Sequence, residues 1–131
     1  MDWLAAARVH PLDQIFSWAF SFVLLYVLGF TKETFGAYLF FAVFIAVFNH
    51  SNVRLRFGFL PWIIVTPEYH HWHHSNHIKA RNKNFSGQLP LLDWLFGTLY
   101  LPKDKMPQSY GINTPVPKGY AVELMFPFRK T

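Results

Sequence analysis

The 131-residue sequence contains no cysteine and few charged residues. Without cysteine, disulfides, thiolate zinc sites, iron–sulfur clusters and cysteine nucleophiles are all excluded. Any metal must therefore be bound by nitrogen and oxygen ligands. Charged residues make up 15% of the chain, against roughly 25% in an average globular domain, and apolar residues make up 52%. This composition indicates that much of the surface contacts lipid.

Acidic residues are also scarce, since seven Asp and Glu stand against twelve Lys and Arg and leave a net charge of +5. Ten of the twelve cations follow residue 53. They are scattered and no nucleic-acid-binding motif accompanies them, so we expect no nucleic-acid partner. Cations that lie next to a membrane and face anionic headgroups are the better explanation.

The longest uncharged runs, residues 15–30 and 35–48, are each shorter than the ~20 residues that cross a bilayer. A polar break, TKE at 31–33, separates them. Both runs are apolar on every side, which an ordinary surface helix is not. They predict an antiparallel membrane hairpin, either tilted or dipping into the bilayer and returning. A pair of buried helices in a soluble bundle is the alternative.

The predicted fold is all-α and forms one domain. Residues 1–14 are an amphipathic start without the features of a signal peptide. The membrane hairpin covers 15–48, a histidine-rich region covers 49–102, and an irregular tail covers 103–131.

Flanking charges predict the orientation of this hairpin. Arg8 precedes it and Arg54 and Arg56 follow it, whereas Lys32 alone lies at its turn. By the positive-inside rule, both ends of the hairpin and the chain that follows face the cytoplasm.

Five of the seven histidines lie within eight positions, in the stretch TPEYHHWHHSNH. The residues Thr66, Pro67 and Glu68 predict a helix start, with the Thr66 hydroxyl as a cap, proline in the first turn and an acid at the positive end of the helix dipole. The histidine-rich stretch is therefore expected to open a helix.

On that helix, each residue turns the direction by about 100°. His70, His73 and His74 then share one side, to which His77 returns if the helix continues that far. His71 lies on the flank, and Trp72 points away. Neutral imidazoles at this spacing are ligands for zinc, iron, copper or nickel. The alternative is a histidine-rich surface tract that binds metal only loosely.

Two further histidines lie outside this stretch. His50, in FNHSN, ends the second apolar run, and a histidine at or just below membrane depth is costly unless it is paired or bound to metal. We therefore expect His50 to be a ligand, with a bond to a backbone carbonyl as the alternative. His10, in RVHP, is expected to support the site indirectly or to be structural.

Four segments in their order along the chain resemble one known family: FNHSNVRL, TPEYHHWHH, NKNFSG and LLDWLFGTLYLP. They are similar to the C-terminal half of the fatty acid hydroxylase/sterol desaturase superfamily, and RVHPLD matches the segment after that family's second histidine box. The resemblance extends to about Pro102.

The resemblance implies an integral-membrane oxidoreductase with a histidine-rich, non-haem di-iron centre. Such an enzyme uses O₂ and supplied electrons to hydroxylate or desaturate a lipid chain or a sterol. Its centre lies on the cytoplasmic side of the bacterial inner membrane or the endoplasmic reticulum. A cytochrome, a ferredoxin or a reductase would donate the electrons.

Position by position, the resemblance implies that four histidines bind metal, namely His50, His70, His73 and His74. His71 takes the variable second place of the box and is not expected to bind metal, and His77 lies outside the pattern. Metal-bound histidines usually donate their other ring N–H to a carboxylate or a carbonyl. Asp93 is our candidate for that partner, with a helix cap as its alternative role, and Asn84 is a further supporting residue.

Two departures from the family pattern bear on activity. Asn82 stands where the family usually has aspartate. The two earlier boxes, H-x-x-x-H and H-x-x-H-H, are expected before RVHPLD, and the sequence does not contain them. Since two irons require about eight protein groups, we expect an N-terminal half to complete the site and the isolated chain to be inactive.

Two other functions compete with a lipid oxygenase. One is a non-catalytic, metal-binding membrane protein that descends from the same family. The other is a zinc hydrolase with water in an open position. The hydrolase is disfavoured because Glu68, the nearest acid, points away from His70 on a helix.

Overall fold

A computed structural model describes residues 3–7, 9–112, 119–125 and 128. Within these residues every regular element is helical, and an isolated antiparallel bridge joins Ser75 to Tyr110. The α-helices are α1 (Pro11–Val27), α2 (Lys32–Asn49), α3 (Pro67–His73), α4 (Pro90–Leu95) and α5 (Tyr120–Met125). Short 3₁₀ helices cover Trp3–Ala7, Leu60–Trp62 and Ile78–Ala80. The all-α prediction is confirmed for the described part of the chain.

The two long helices begin before the uncharged runs do. At α1, Pro11 occupies the first turn and the His10 ring accepts the Leu12 N–H at 3.2 Å, so the polar first turn joins the helix. At α2, Lys32 and Glu33 likewise belong to the first turn and not to the connecting turn. The uncharged runs start at residues 15 and 35, so they place the start of α1 four residues late and the start of α2 three residues late. Capping and dipole interactions extend helices into polar sequence.

Both helices expose most of their apolar side chains. Phe22 of α1 contacts Phe35 of α2 edge to face, with ring centroids 5.8 Å apart. Beyond that contact, Phe20 is 73% exposed and Phe40 is 76% exposed. Among the described helices, α2 alone has the length and apolar composition to cross a bilayer, and 11% of that stretch is buried. The core helix of a soluble bundle would be mostly buried, so the exposure argues against the soluble alternative.

The buried core lies around α3. Val65, Tyr69 and Trp72 are almost fully buried, together with the polar side chains of Asn84 and Asp93. One side of α3 packs against the end of α2. The core therefore holds the histidine-rich helix against the second apolar helix, and this contact forms the site.

Candidate metal centre

Helix α3 begins where the sequence predicts, at Thr66 and Pro67. The Thr66 hydroxyl is buried and has no hydrogen-bond partner, so its predicted role as the cap is wrong. Instead, the Thr66 carbonyl accepts the N–H groups of Tyr69 and His70, at 3.0 and 2.9 Å. Proline at the first position has no N–H to satisfy, and these backbone bonds close the first turn without the hydroxyl.

Three histidines converge where α2 ends against α3. The Nε2 atom of His70 lies 3.3 Å from Nε2 of His50 and 3.0 Å from Nε2 of His74. The ligand nitrogens of all three rings lie within 4.8 Å of one another. We call these three residues the histidine triad. His70 and His74 come together because they are one turn apart, and His50 joins them because the end of α2 packs on α3.

The tautomer of His50 follows from its hydrogen bond. Its Nδ1 lies 2.7 Å from the Ala46 carbonyl, which can only accept, so Nδ1 carries the proton. The Nε2 atom of His50 therefore presents a lone pair to His70. A neutral His70 has at most one Nε2–H. It can donate that proton to Nε2 of His50 or to Nε2 of His74, but not to both.

These distances fit a shared metal ion. Nitrogens bound at about 2.1 Å to one ion lie about 3.0 to 3.4 Å apart at octahedral or tetrahedral angles. The two Nε2 separations in the triad, 3.3 and 3.0 Å, fall in that interval. Imidazole nitrogens are suitable ligands for iron, zinc, copper and nickel, so iron is among the metals that the triad can bind.

The electrostatics keep His70 and His74 in the protonation state that binds metal. Burial lowers the pKa of His70 to about 2, and the neighbouring rings of His74 and His50 lower it further in the same direction. Burial likewise lowers the pKa of His74 to about 4, with added repulsion from His73 and His50. Both rings are therefore neutral at physiological pH, with a lone pair available.

His73 lies beside the triad but faces a different space. Its ring is 5.6 Å from that of His70 and 5.1 Å from that of His74, centroid to centroid. Its Nδ1 donates to the Lys83 carbonyl at 3.0 Å, which leaves the lone pair on Nε2. His73 lines a cavity of mixed polar and apolar lining, of about 410 Å³, with Arg81, whereas the triad's His50 and His70 line an apolar cavity.

His71, which we predicted on the flank of the helix, lies in the core and is 1% exposed. Its Nε2–H donates to the Ser51 carbonyl at 3.1 Å, and its Nδ1 accepts the Tyr110 hydroxyl at 3.0 Å. Helix α3 ends at His73, so His77 does not return to the metal-facing side. Instead, His77 starts the next 3₁₀ helix, where its ring accepts the Lys79 N–H at 3.2 Å.

Asp93 supports α3 without touching a histidine. Its carboxylate accepts the Tyr69 hydroxyl at 2.6 Å, the backbone N–H groups of Phe85 and Ser86 at 2.9 and 2.7 Å, and the Thr98 hydroxyl. Burial alone would raise the pKa of this carboxyl, but the hydrogen bonds from Thr98, Tyr69 and Ser86 outweigh burial and lower the pKa to about 2. The carboxylate that we predicted next to a histidine ring therefore holds in place the base of α3, which we call the box helix.

Asn84 also holds the box helix in place, by a hydrogen bond to one of its backbone carbonyls. Its side-chain amide donates to the carbonyls of Tyr69 and Tyr100, at 3.0 and 2.8 Å. Both Asn82 and Asn84 have φ of +56°, a left-handed conformation that asparagine tolerates better than most residues. The pair turns the loop so that the Lys83 carbonyl between them reaches His73.

The hydrogen bonds of His10 are made to backbone groups of two helices and not to a histidine of the triad. Its Nδ1 accepts the Leu12 N–H at the start of α1, and its Nε2 donates to the Leu124 carbonyl of α5 at 2.9 Å. Both ring nitrogens are therefore used to cap one helix and join another. Of the two roles expected for His10, the structure shows the structural one.

Two tyrosines that tie the site together were not predicted from the sequence. Tyr69 is a fully buried residue of α3, and Tyr110 reaches His71 from the tail. Buried tyrosines leave no distinctive sequence signal. The pair of asparagines around Lys83 is a signal that could have been used, because closely spaced asparagines are typical of left-handed turns.

Comparison with known proteins connects this geometry to a family. The model of the fatty acid hydroxylase family matches residues 1–98. The chain is similar to an ornithine lipid hydroxylase, OlsE, of Rhizobium tropici, with 34% identity over 123 residues that make up 94% of this chain and 37% of that protein. No solved structure matches the chain significantly.

Two alkylglycerol monooxygenases are similar as well. The protein from Xenopus tropicalis is 27% identical over 111 residues, which cover 85% of this chain and 24% of that protein. The protein from Homo sapiens is 27% identical over 121 residues, which cover 92% of this chain and 26% of that protein. The chain thus spans between 24% and 37% of the length of these relatives.

Proposed function

The chain belongs to the fatty acid hydroxylase family, and on that premise we propose that it forms the C-terminal part of an iron-dependent lipid oxygenase of the membrane. The observation that carries the proposal is the convergence of His50, His70 and His74, with Nε2 atoms 3.0 and 3.3 Å from that of His70. Three imidazoles without a carboxylate or thiolate are a ligand set that suits iron. When bound there, iron supplies the O₂ activation and C–H oxidation that side chains lack.

The protein's own contribution is to hold and orient the rings. Bonds from Nδ1 to the Ala46 and Lys83 carbonyls fix the rings of His50 and His73, so that each presents the Nε2 lone pair. Such partners orient metal ligands and increase their basicity. We propose that His73 is the fourth ligand and binds the second metal of a di-iron centre, because its ring adjoins the triad yet faces the other cavity.

An apolar cavity of about 480 Å³ offers room for the substrate. Its wall consists largely of alanine, valine and Trp18 side chains from α1, α2 and the N-terminal 3₁₀ helix, and His50 and His70 lie in the same lining. A hydrocarbon chain fits such a space, since burial of each CH₂ group contributes about 0.8 kcal/mol. We propose that this cavity places a lipid chain next to the metal and keeps water out.

The names of the relatives support a class of substrate for the proposal. Their names describe a hydroxylase of ornithine lipid and monooxygenases of alkylglycerol. We propose that this chain likewise contributes to hydroxylation of a membrane lipid, with the triad on the cytoplasmic side of the membrane. A cytochrome, ferredoxin or reductase in the cytoplasm would supply electrons.

Four histidines do not complete two iron sites, which need about eight protein groups. We propose that polypeptide outside these 131 residues, in an N-terminal half with the two other histidine boxes, provides the remaining ligands. The chain alone should then bind at most about one metal ion per molecule and should not oxidise lipid.

A chimaera tests this function. The matched segment of the Rhizobium tropici hydroxylase is replaced by this chain, and lipids from cells grown under ¹⁸O₂ are analysed by mass spectrometry. We expect one labelled oxygen per hydroxylated ornithine lipid, loss of the product in the His74→Ala chimaera, and retention of the product in a matched Lys79→Ala control. A folded, membrane-inserted chimaera without iron, or one whose product survives His74→Ala, would contradict the proposal.

A further inference from the structure

A second apolar surface lies outside α1 and α2. It comprises two segments, residues 59–63 and 91–96, which we call the apolar platform. Nine large apolar side chains of the platform are between 36% and 79% exposed: Phe59, Leu60, Trp62, Ile63, Leu91, Leu92, Trp94, Leu95 and Phe96. A contiguous exposed surface of this kind marks an interaction site and is uncommon on a soluble monomer.

The two segments form one surface because they are packed together. The 3₁₀ helix Leu60–Trp62 contacts α4. Trp62 and Trp94 line the same shallow groove, of about 290 Å³, with Pro90 and Leu99. The two indole rings therefore stand on one face, although the residues are far apart in the sequence.

The charges around the platform favour an anionic lipid surface. The one acid in its segments, Asp93, is 2% exposed and points inward, so the platform presents no exposed carboxylate. At its edge, the Lys83 ammonium donates to the Gly97 carbonyl at 2.8 Å, directly after Phe96. Tryptophans combined with flanking lysine and large aliphatic side chains are the composition of a surface at headgroup depth.

The platform adjoins the end of the candidate membrane helix. The Asn49 amide at the end of α2 donates to the Gly87 carbonyl at 3.3 Å, and the Val65 N–H donates to the Gln88 carbonyl at 2.9 Å. Residues 87–88 lead directly into α4. The apolar surface of α2 therefore ends next to the platform, where a bilayer that surrounds α2 has its headgroup layer.

From these contacts we infer that the apolar platform is a membrane-docking surface that lies in the interfacial layer of an anionic bilayer. The platform anchors the histidine-bearing region to the membrane, and the apolar helices provide a second anchor. The platform fixes the depth at which α3 sits, because both of its segments connect directly to the core around α3. The inference depends on exposure and charge and not on lipid oxidation.

The absence of cysteine allows a direct test by site-specific labelling. In separate variants, Phe96→Cys and Phe59→Cys place a thiol at exposed positions of the two segments, and Gln108→Cys places one at an exposed position in the polar tail. Each full-length variant carries a bimane fluorophore and is reconstituted into vesicles of phosphatidylcholine and phosphatidylglycerol. Quenching is measured with doxyl-labelled lipid and with iodide present on both sides of the bilayer.

We expect the labels at 96 and 59 to be quenched at least threefold more by doxyl lipid than the label at 108, and the order to be reversed with iodide. Equal iodide quenching at all three positions would show that the platform faces water and would overturn the inference. Protection of positions 96 and 59 from both quenchers would show that protein covers the platform, either a second copy or another chain. That result would also overturn the lipid assignment.

Discussion

The Tyr110 hydroxyl donates a hydrogen bond to Nδ1 of His71 at 3.0 Å, while the opposite nitrogen of this buried ring donates to the Ser51 carbonyl at 3.1 Å. One histidine thus joins the box helix to the end of α2 and to the tail. The adjacent Gly111 N–H donates to the His74 carbonyl at 2.9 Å, in a backbone conformation with φ of +106° that favours glycine. The tail is therefore fastened directly over the end of the box helix.

We expect His71→Ala to lower the free energy of unfolding by about 2 to 4 kcal/mol, because it leaves a cavity and an unpaired Ser51 carbonyl. Tyr110→Phe should cost about 1 to 2 kcal/mol, because it leaves only the ring nitrogen without a donor. Chemical unfolding in detergent measures both. The exposed His77→Ala is the matched control and should cost less than about 1 kcal/mol. Metal content per folded molecule should stay unchanged in all three variants, and its loss in His71→Ala would mean that this ring binds metal.

We expect alanine at His50, His70 or His74 to remove most of the bound iron, because each ring supplies one of the three converging Nε2 atoms. His73→Ala should retain iron in the triad and should lose only a second ion in the completed protein, because its ring faces the other cavity. Elemental analysis of purified protein gives the stoichiometry. Equal losses at His73 and His74 would mean that all four rings hold a single ion.

Stability without metal should depend on pH through the triad. Burial lowers the pKa values of His70 and His74 in the folded chain to about 2 and about 4, from the ordinary histidine value of 6.5. The unfolded chain therefore binds more protons than the folded chain as pH falls from 6.5 toward 4, and stability should decrease across that window. Urea midpoints at pH 7.5, 6 and 5 measure the effect. In His70→Gln/His74→Gln the decrease should be smaller, and an unchanged slope would assign it to other groups.

Asp93→Asn should destabilise the fold by about 2 to 4 kcal/mol. The amide would place an NH₂ group, which can only donate, next to groups that donate hydrogen bonds to the carboxylate. Those donors include the Tyr69 hydroxyl and the Ser86 N–H. Thermal unfolding compares this variant with Asp104→Asn, whose side chain is exposed and should change little. Iron content per folded molecule should be the same in both, whereas selective loss of iron in Asp93→Asn would restore a direct role beside a ligand.

Local patterns in the sequence predicted much of the helical structure. Proline and an acid at residues 67 and 68 predicted the start of α3, and uncharged runs predicted two apolar helices next to one another in the chain. The spacing of His70 and His74 already placed them on one side of a helix, because residues four apart are neighbours in every α-helix. These features depend on interactions between residues a few positions apart, so they can be predicted without knowledge of the tertiary structure.

The identity of each ring's neighbours was decided by tertiary packing. His50 reaches the triad only because α2 ends against α3, whereas His71 is buried only because the tail and residue 51 close over it. Asp93 faces Tyr69 and not a histidine, because the loop before α4 supplies closer donors. Helical periodicity fixes the direction in which a side chain leaves its own helix, but which partner it meets depends on contacts between residues distant in the chain.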